Sequence, residues 1–353
     1  MNAIPIEQAL YMRKDGEAPR LVGRSSGFID AWLPQAEELI VGFGDRPAGV
    51  ACSAAVFARP FGANQVAIVQ VADQQLEDPG RPPAVGFRLL ALPRSDYTQY
   101  LGDPFAVADR FPPAWNDRDP LASLSMPAEP LPPRTVEDVQ GVLKRVKANA
   151  LREGEDPATV AVDVENAESP ALLGGVQVLV DGGRVVFERP APDTGLMRGL
   201  WTLLPTRSRY ELWPASFAFG NALGFDALIV PSAAGAEYAG YTNEEQAADY
   251  PPGSYELNLQ VAAEAGDQRE LDALLGRRSW NDMWRLGLII FAVMAGIVLF
   301  LRLTETPPPA PSPRERAEKA ALAAGVVSVG DPFGALGLIE VGNAKYGKRG
   351  GTR

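Results

Sequence analysis

The sequence predicts an α+β protein: two mixed globular units, then one C-terminal transmembrane helix and a flexible tail. Three observations carry this. Strand-like apolar runs and helix-periodic segments follow one another without the regular alternation of a βαβ chain. A Pro-rich stretch, Pro112–Pro133, divides the globular part. Leu286–Leu301 is sixteen residues without a charge. The expected boundaries are 1–133 and 134–280 for the globular domains, 283–303 for the span, and 304–353 for a Pro-rich linker and basic tail.

In the first unit, Gln8–Lys14 and Arg20–Arg24 flank Asp15-Gly16, the pattern of a hairpin. Gln65–Ala72 and Val85–Leu92 are rich in β-branched and large apolar residues and are predicted as buried strands. Asp96–Leu101 and Asp103–Phe111 are predicted as short helical turns.

The second unit opens on a helix. Thr135 stands at the cap and Asp138 at the capping-box position, with Val136, Val139, Leu143 and Val146 at helical spacing. Val176–Val180 and Arg184–Glu188, joined by Asp181-Gly182-Gly183, predict a second hairpin. Asp193 or Thr194 starts a helix that Pro205 stops. Trp213–Gly220 and Phe225–Val230 are expected strands. Ser254–Arg278 reads as one amphipathic helix.

The uncharged run that follows is bracketed by Arg285 and Arg302. At 1.5 Å per residue it spans about 24 Å, a little under the ~30 Å hydrocarbon core. Both arginines can snorkel to the interface, where Trp280 and Trp284 would form an aromatic belt. Leu286, Gly287, Ile290, Ala292, Gly296 and Leu301 would lie in the bilayer, and Ala292 with Gly296 makes a small-xxx-small pair suited to a homodimer. Arg269, Arg277, Arg278 and Arg285 precede the span and Arg302, Arg314, Arg316 and Lys319 follow it, so charge bias sets no orientation. No secretory signal opens the sequence, which places the N-terminal domains in the cytoplasm and the protein in the inner membrane as a single-pass chain. Beyond the span, Thr304–Pro313 is a semi-rigid linker and Arg314–Ala324 a charged helix candidate.

Composition excludes more than it suggests. The 353 residues contain no histidine and one cysteine. Ser-His-Asp and Cys-His catalysis, His-bearing zinc sites and internal disulfides cannot be built from this chain. A net charge of −11 disfavours nucleic acid as a partner. That charge divides into −13 on residues 1–302 and +2 on the tail. No cofactor and no metal is expected.

Gly23-Arg24-Ser25-Ser26-Gly27 matches the nucleophile elbow G-x-S-x-G, but that motif needs a histidine base and a strand–turn–helix setting. A turn after a strand is the expected role. Gly342–Lys348 imitates a phosphate loop yet continues with Arg349 where Ser or Thr is required. Gly42-Phe43-Gly44 lacks the third glycine of a dinucleotide fingerprint. Cys52 reads as a small buried hydrophobe. The groups Asp163/Glu165/Glu168 and Glu244/Glu245/Asp249 read as solvated acidic loops.

One resemblance is specific. Gln8-Ala9-Leu10-Tyr11, Gly16, Arg20-Leu21-Val22, Ser25-Ser26, Trp32-Leu33-Pro34 and Phe57-Ala58-Arg59-Pro60 resemble bacterial GTPase-associated proteins of conflict-type operons, in their N-terminal domain of the second type, over roughly residues 3–130. Leu203-Leu204-Pro205, Arg207, Arg209, Ser216-Phe217-Ala218-Phe219 and Val230-Pro231 are similar to the middle domain of the same family. A histidine common after the glycine of the opening hairpin has no counterpart, and the span and tail replace the family's C-terminal portion. The resemblance implies a non-enzymatic adaptor working with a GTPase, and it supplies no catalytic residues.

The expected function is therefore a membrane-anchored accessory protein whose cytoplasmic domains bind a protein partner, a GTPase among the candidates. Arg207 and Arg209 are the candidate contact residues, against a simpler role as helix-end cations. The alternative is a histidine-free, carboxylate-based hydrolase, which would need two acidic side chains converging in one pocket.

Overall fold

The computed structural model describes residues 3–74, 84–116, 120–152, 171–276, 289–298, 300 and 312–323. The expected first hairpin forms: β1 (Ala3–Arg13) turns through Gly16, at φ +75°, and returns as β2 (Arg20–Arg24). β1 starts earlier than predicted because Ala3–Ile6 pairs with a strand inside the Pro-rich stretch. β3 (Ala55–Phe61), β4 (Gln65–Gln74) and β5 (Ala84–Pro93) follow as antiparallel neighbours, and β5 lies beside β1. The strand in the Pro-rich stretch is β6 (Leu124–Pro127).

Both faces of β4 are buried, which is why its sequence shows a run and no alternation. Val66 and Ile68 belong to one apolar core, Ala67, Val69 and Val71 to another. α1 (Leu33–Gly42) packs Ala36, Leu39 and Ile40 into the larger core. α2 (Arg94–Asp96) runs on into a single π-type turn, Tyr97–Leu101, and α3 (Pro104–Arg110) begins where Asp103 accepts the Phe105 and Ala106 amides at 3.0 and 3.1 Å. Pro104 at the first helical position costs no hydrogen bond, so Gly102-Asp103-Pro104 is a start signal.

A buried polar network fastens the Pro-rich stretch to the sheet. Arg88 donates to Gln8 (2.9 Å) and to the carbonyls of Phe111 and Pro112 (both 2.8 Å). Gln70 donates to Ala108 and Phe111, and Gln8 to Ala122. These polar side chains lie on strand faces that are otherwise apolar, and each meets backbone that no strand partner satisfies.

The second half adds α4 (Val136–Arg152), with the predicted cap in place: Asp138 accepts the Thr135 amide at 2.8 Å and Thr135 Oγ1 accepts the Asp138 amide at 3.2 Å. Next come α5 (Ala171–Val180), β7 (Val185–Glu188), α6 (Thr194–Leu203), α7 (Thr206–Glu211), β8 (Pro214–Ala215), β9 (Ala227–Val230), α8 (Glu244–Ala248), α9 (Ser254–Ala265) and α10 (Gln268–Leu275). The strand order is β2-β1-β5-β4-β3-β8-β9-β7, with β6 beside β1. β8, β9 and β7 are mutually parallel, and β8 meets β3 through one antiparallel pair, Phe57 with Ala215. The mixed α+β class is thus the observed one.

Three elements differ from expectation. Val176–Val180 is not a strand but the end of α5, which buries eight of its ten residues. A helix apolar on nearly every side loses the periodicity that would identify it. Gly174 lets it approach α8 closely, since a Cβ there would stand 1.8 Å from the Ala247 carbonyl oxygen. The strand expected over Trp213–Gly220 shrinks to two residues because the rest bonds elsewhere, Phe219 and Gly220 both donating to the Phe43 carbonyl. The single helix expected over Ser254–Arg278 breaks at Gly266, φ +71°, and Asp267 caps a new start.

The boundary expected at residues 133 and 134 marks no break in the sheet. Residues before it supply the antiparallel strands and residues after it the parallel ones, within one unit, Met1–Ile289. The remaining unit is Ile290–Arg353. α11 (residues 289–298) leads into it, and α12 (Pro313–Ala323) falls where a charged helix was expected.

Candidate functional site

α11 is uncharged, and all ten of its residues are exposed. Phe291 is 72 % exposed, Ile289 59 %, and Val293, Met294 and Val298 each 56 %. Ile290, Ala292 and Gly296, expected in the span, lie in this helix, and a Cβ at Gly296 would meet nothing within 4 Å. Leu286, Gly287 and Leu301, with the interface residues Trp280, Trp284, Arg285 and Arg302, lie outside the described residues. Among the described residues no helix is long and apolar enough to cross a membrane. Counting Phe300, eight large apolar side chains stand exposed here. Burying a fully exposed side chain of this size is worth about 1.5–3 kcal/mol, and these are half to three-quarters exposed, so roughly 7–14 kcal/mol awaits whatever covers this segment.

The serine of G-x-S-x-G sits at the end of β2 and is fully buried. Its Oγ donates to Glu7 at 2.6 Å and accepts the Gln8 amide at 2.9 Å. The same Glu7 oxygen accepts the Gly27 amide and the Ser123 hydroxyl. Glu7 therefore gathers the hairpin's exit and the middle of the Pro-rich stretch. Ser25 is a joint in the fold, which is the turn role read from the sequence. Alternation along β1 points to Glu7 only weakly, since its partners are 18 to 116 residues away.

A cavity of about 460 Å³ lies beside β7, lined by Glu188, Glu244, Glu245, Tyr238 and Tyr241 among others. It is the natural place to look for a carboxylate pair. Both Glu244 oxygens are taken by the Arg189 fork, at 2.5 and 2.7 Å, and Glu188 accepts the Ala233 amide at 3.1 Å. The Glu244 contact in turn raises the Arg189 guanidinium. Two of the three carboxylates thus hold the cavity's own walls together. Among the described residues no cluster of acidic or cysteine side chains could hold a metal ion. Asp163, Glu165 and Glu168 lie outside the described residues, as does Gly342–Lys348.

Cys52 is fully buried, and burial beside Asp73 pushes its thiol up to about 12. Gly44, at φ +98°, brings its backbone against Gly220, where a Cβ would stand 2.6 Å from the amide nitrogen. Gly42-Phe43-Gly44 is thus a packing device.

The two candidate contact arginines part company. Arg207 is exposed, whereas Arg209 is 8 % exposed and ion-paired with Asp103. Asp103 also caps α3, so Arg209 ties α7 to the first half of the chain. Arg134, which sequence reasoning passed over, donates to the Thr202 carbonyl at 2.8 Å, to the Leu204 carbonyl and to Thr206 Oγ1 at 2.7 Å. It satisfies carbonyls left open at the end of α6. The signal for it was slight: one cation between a proline run and a helix cap.

Comparison with protein-family models and with curated proteins finds no match for this chain.

Proposed function

We propose that this is a single-pass membrane-anchored adaptor whose N-terminal unit binds a protein partner on the cytoplasmic face of the inner membrane. The observation that supports the reading is α11: a helix apolar around its whole circumference that the described chain leaves exposed. Water is a poor solvent for such a helix, and a bilayer or a like helix is a good one. The sixteen uncharged residues around it approach the length a bilayer requires. Anchoring confines the acidic N-terminal unit to two dimensions and raises its effective concentration near membrane partners. Ala292 and Gly296 give the helix a surface for a second copy. A GTPase is the partner class that the family resemblance implies.

The test is membrane extraction of the full chain. The wild type is expected to remain in the membrane pellet through an alkaline carbonate wash. Ile290→Asp combined with Ile297→Asp is expected to move most of it to the supernatant, because an acidic residue near a span centre costs about 2.5–3.5 kcal/mol. A wild-type chain that washes off overturns the anchor. Protease added to inside-out vesicles should digest the N-terminal unit, and its protection there would reverse the orientation. The partner class is tested by retention of a GTPase on the immobilised full chain.

A further inference from the structure

A second cavity, of about 260 Å³, lies between the Pro130–Pro133 segment, α7 and the end of α10. Two arginines line it, Arg134 and Arg209, and their charges are poorly matched by the protein. Arg134 makes its three hydrogen bonds to neutral oxygens, and among the described residues it has no ion pair. Burial first, and then the Arg209 charge, lowers its guanidinium to about 10. Arg209 holds Asp103 with Nη2, while its Nε is buried without a hydrogen-bond partner among the described residues. Asp103 is shared: one oxygen pairs with Arg209, the other accepts the Phe105 and Ala106 amides, and the same charge favours the Arg134 cation without a direct contact. One carboxylate thus answers two guanidiniums. Asp272 stands at the rim, exposed and accepting from Gln268 at 2.8 Å.

We propose that this cavity binds a phosphomonoester, held between the guanidiniums of Arg134 and Arg209 with the Thr206 hydroxyl beside them. Guanidinium groups suit phosphate oxygens through their flat fork of donors, and a buried donor without a partner gains most from an incoming anion. The volume falls just below the roughly 300–1,000 Å³ of drug-sized pockets. It suits a phosphoryl group on a few carbons, such as a small phosphorylated metabolite or a lipid headgroup, and not a nucleotide. The inference does not depend on the membrane reading.

Calorimetric titration of the full chain in detergent tests it, with glycerol 3-phosphate as the soluble source and dihexanoyl phosphatidic acid as the lipid source. Binding of either with Kd below about 1 mM is expected, and which of the two binds identifies the source. Arg134→Lys and Arg209→Lys keep the charge but lose the fork, so each should weaken binding about tenfold or more. Arg134 also supports the end of α6, so these variants are compared by circular dichroism and Tm. Asp272→Asn keeps the proposal testable if they fail to fold: it changes an exposed side chain and should tighten binding about threefold by removing a repulsive charge. Absence of heat from both probes overturns the site, and so does binding that Asp272→Asn leaves unmoved.

Discussion

β4 and α11 are written in nearly the same alphabet and meet opposite fates. Val66–Ala72 in β4 and residues 289–298 are both short, uncharged and strongly apolar. Every residue from Val66 to Ala72 is buried, and every residue of α11 is exposed. The chain brings β3, β5 and two apolar cores to the first. Hydrophobicity states that a segment must leave water; it does not say who provides the shelter.

The sharpest way to break this comparison is to make one change in both places. Val69→Lys should unfold the protein, because it loses a buried side chain and strands a charge in the core, together exceeding about 5 kcal/mol. Val293→Lys should leave the Tm of the N-terminal unit unmoved and lower membrane partitioning roughly 100-fold. Thermal melts and vesicle flotation read the two effects. Equal Tm losses would mean that α11 is sheltered by the fold after all.

A smaller effect probes the join between the two halves of the sheet. Ser216 Oγ accepts the Val56 amide at 2.8 Å, beside the one residue pair that links β3 to β8. Ser216→Ala leaves that amide unpaired and should cost about 1–3 kcal/mol. Denaturant unfolding is expected to stay a single transition, since the halves share the larger core. Two transitions would show two domains after all.

The smallest effect concerns Glu256, which burial raises and the Gln260 amide partly restores. The folded state holds this proton more tightly than the unfolded chain. Stability from the group is therefore present at low pH and is lost as pH rises through the folded value. Glu256→Gln should raise Tm modestly at neutral pH and leave it unchanged near pH 4, by calorimetry at both. A rise of equal size at both would assign the gain to something other than charge.

Local signals in the sequence foretold local structure. Thr135 with Asp138, Asp103 before Pro104, and Asp193 before Thr194 mark helix starts that the structure bears out. The β1–β2 hairpin and the strands β4 and β5 were legible in the same way. What failed was either apolar on all sides, as α5 is, or decided by distant partners, as at Ser216–Gly220. The Arg134–Arg209 cavity belongs to the second kind. Its residues are about 75 apart, and neither carries a motif.

One detail of β3 concerns time. Its eventual neighbour Ser216 lies 160 residues downstream of Val56. At roughly 5–20 residues per second of synthesis, β3 waits about 8–30 s as the open margin of a growing sheet. An open margin invites pairing with other chains. Arg59 and Pro60 stand near the C-terminal end of this strand, the residue types that discourage such pairing. β8 pairs with β3 at Phe57 alone, so the Arg59-Pro60 end keeps a margin without a strand partner after synthesis is complete, and its composition guards the native chain as well as the nascent one.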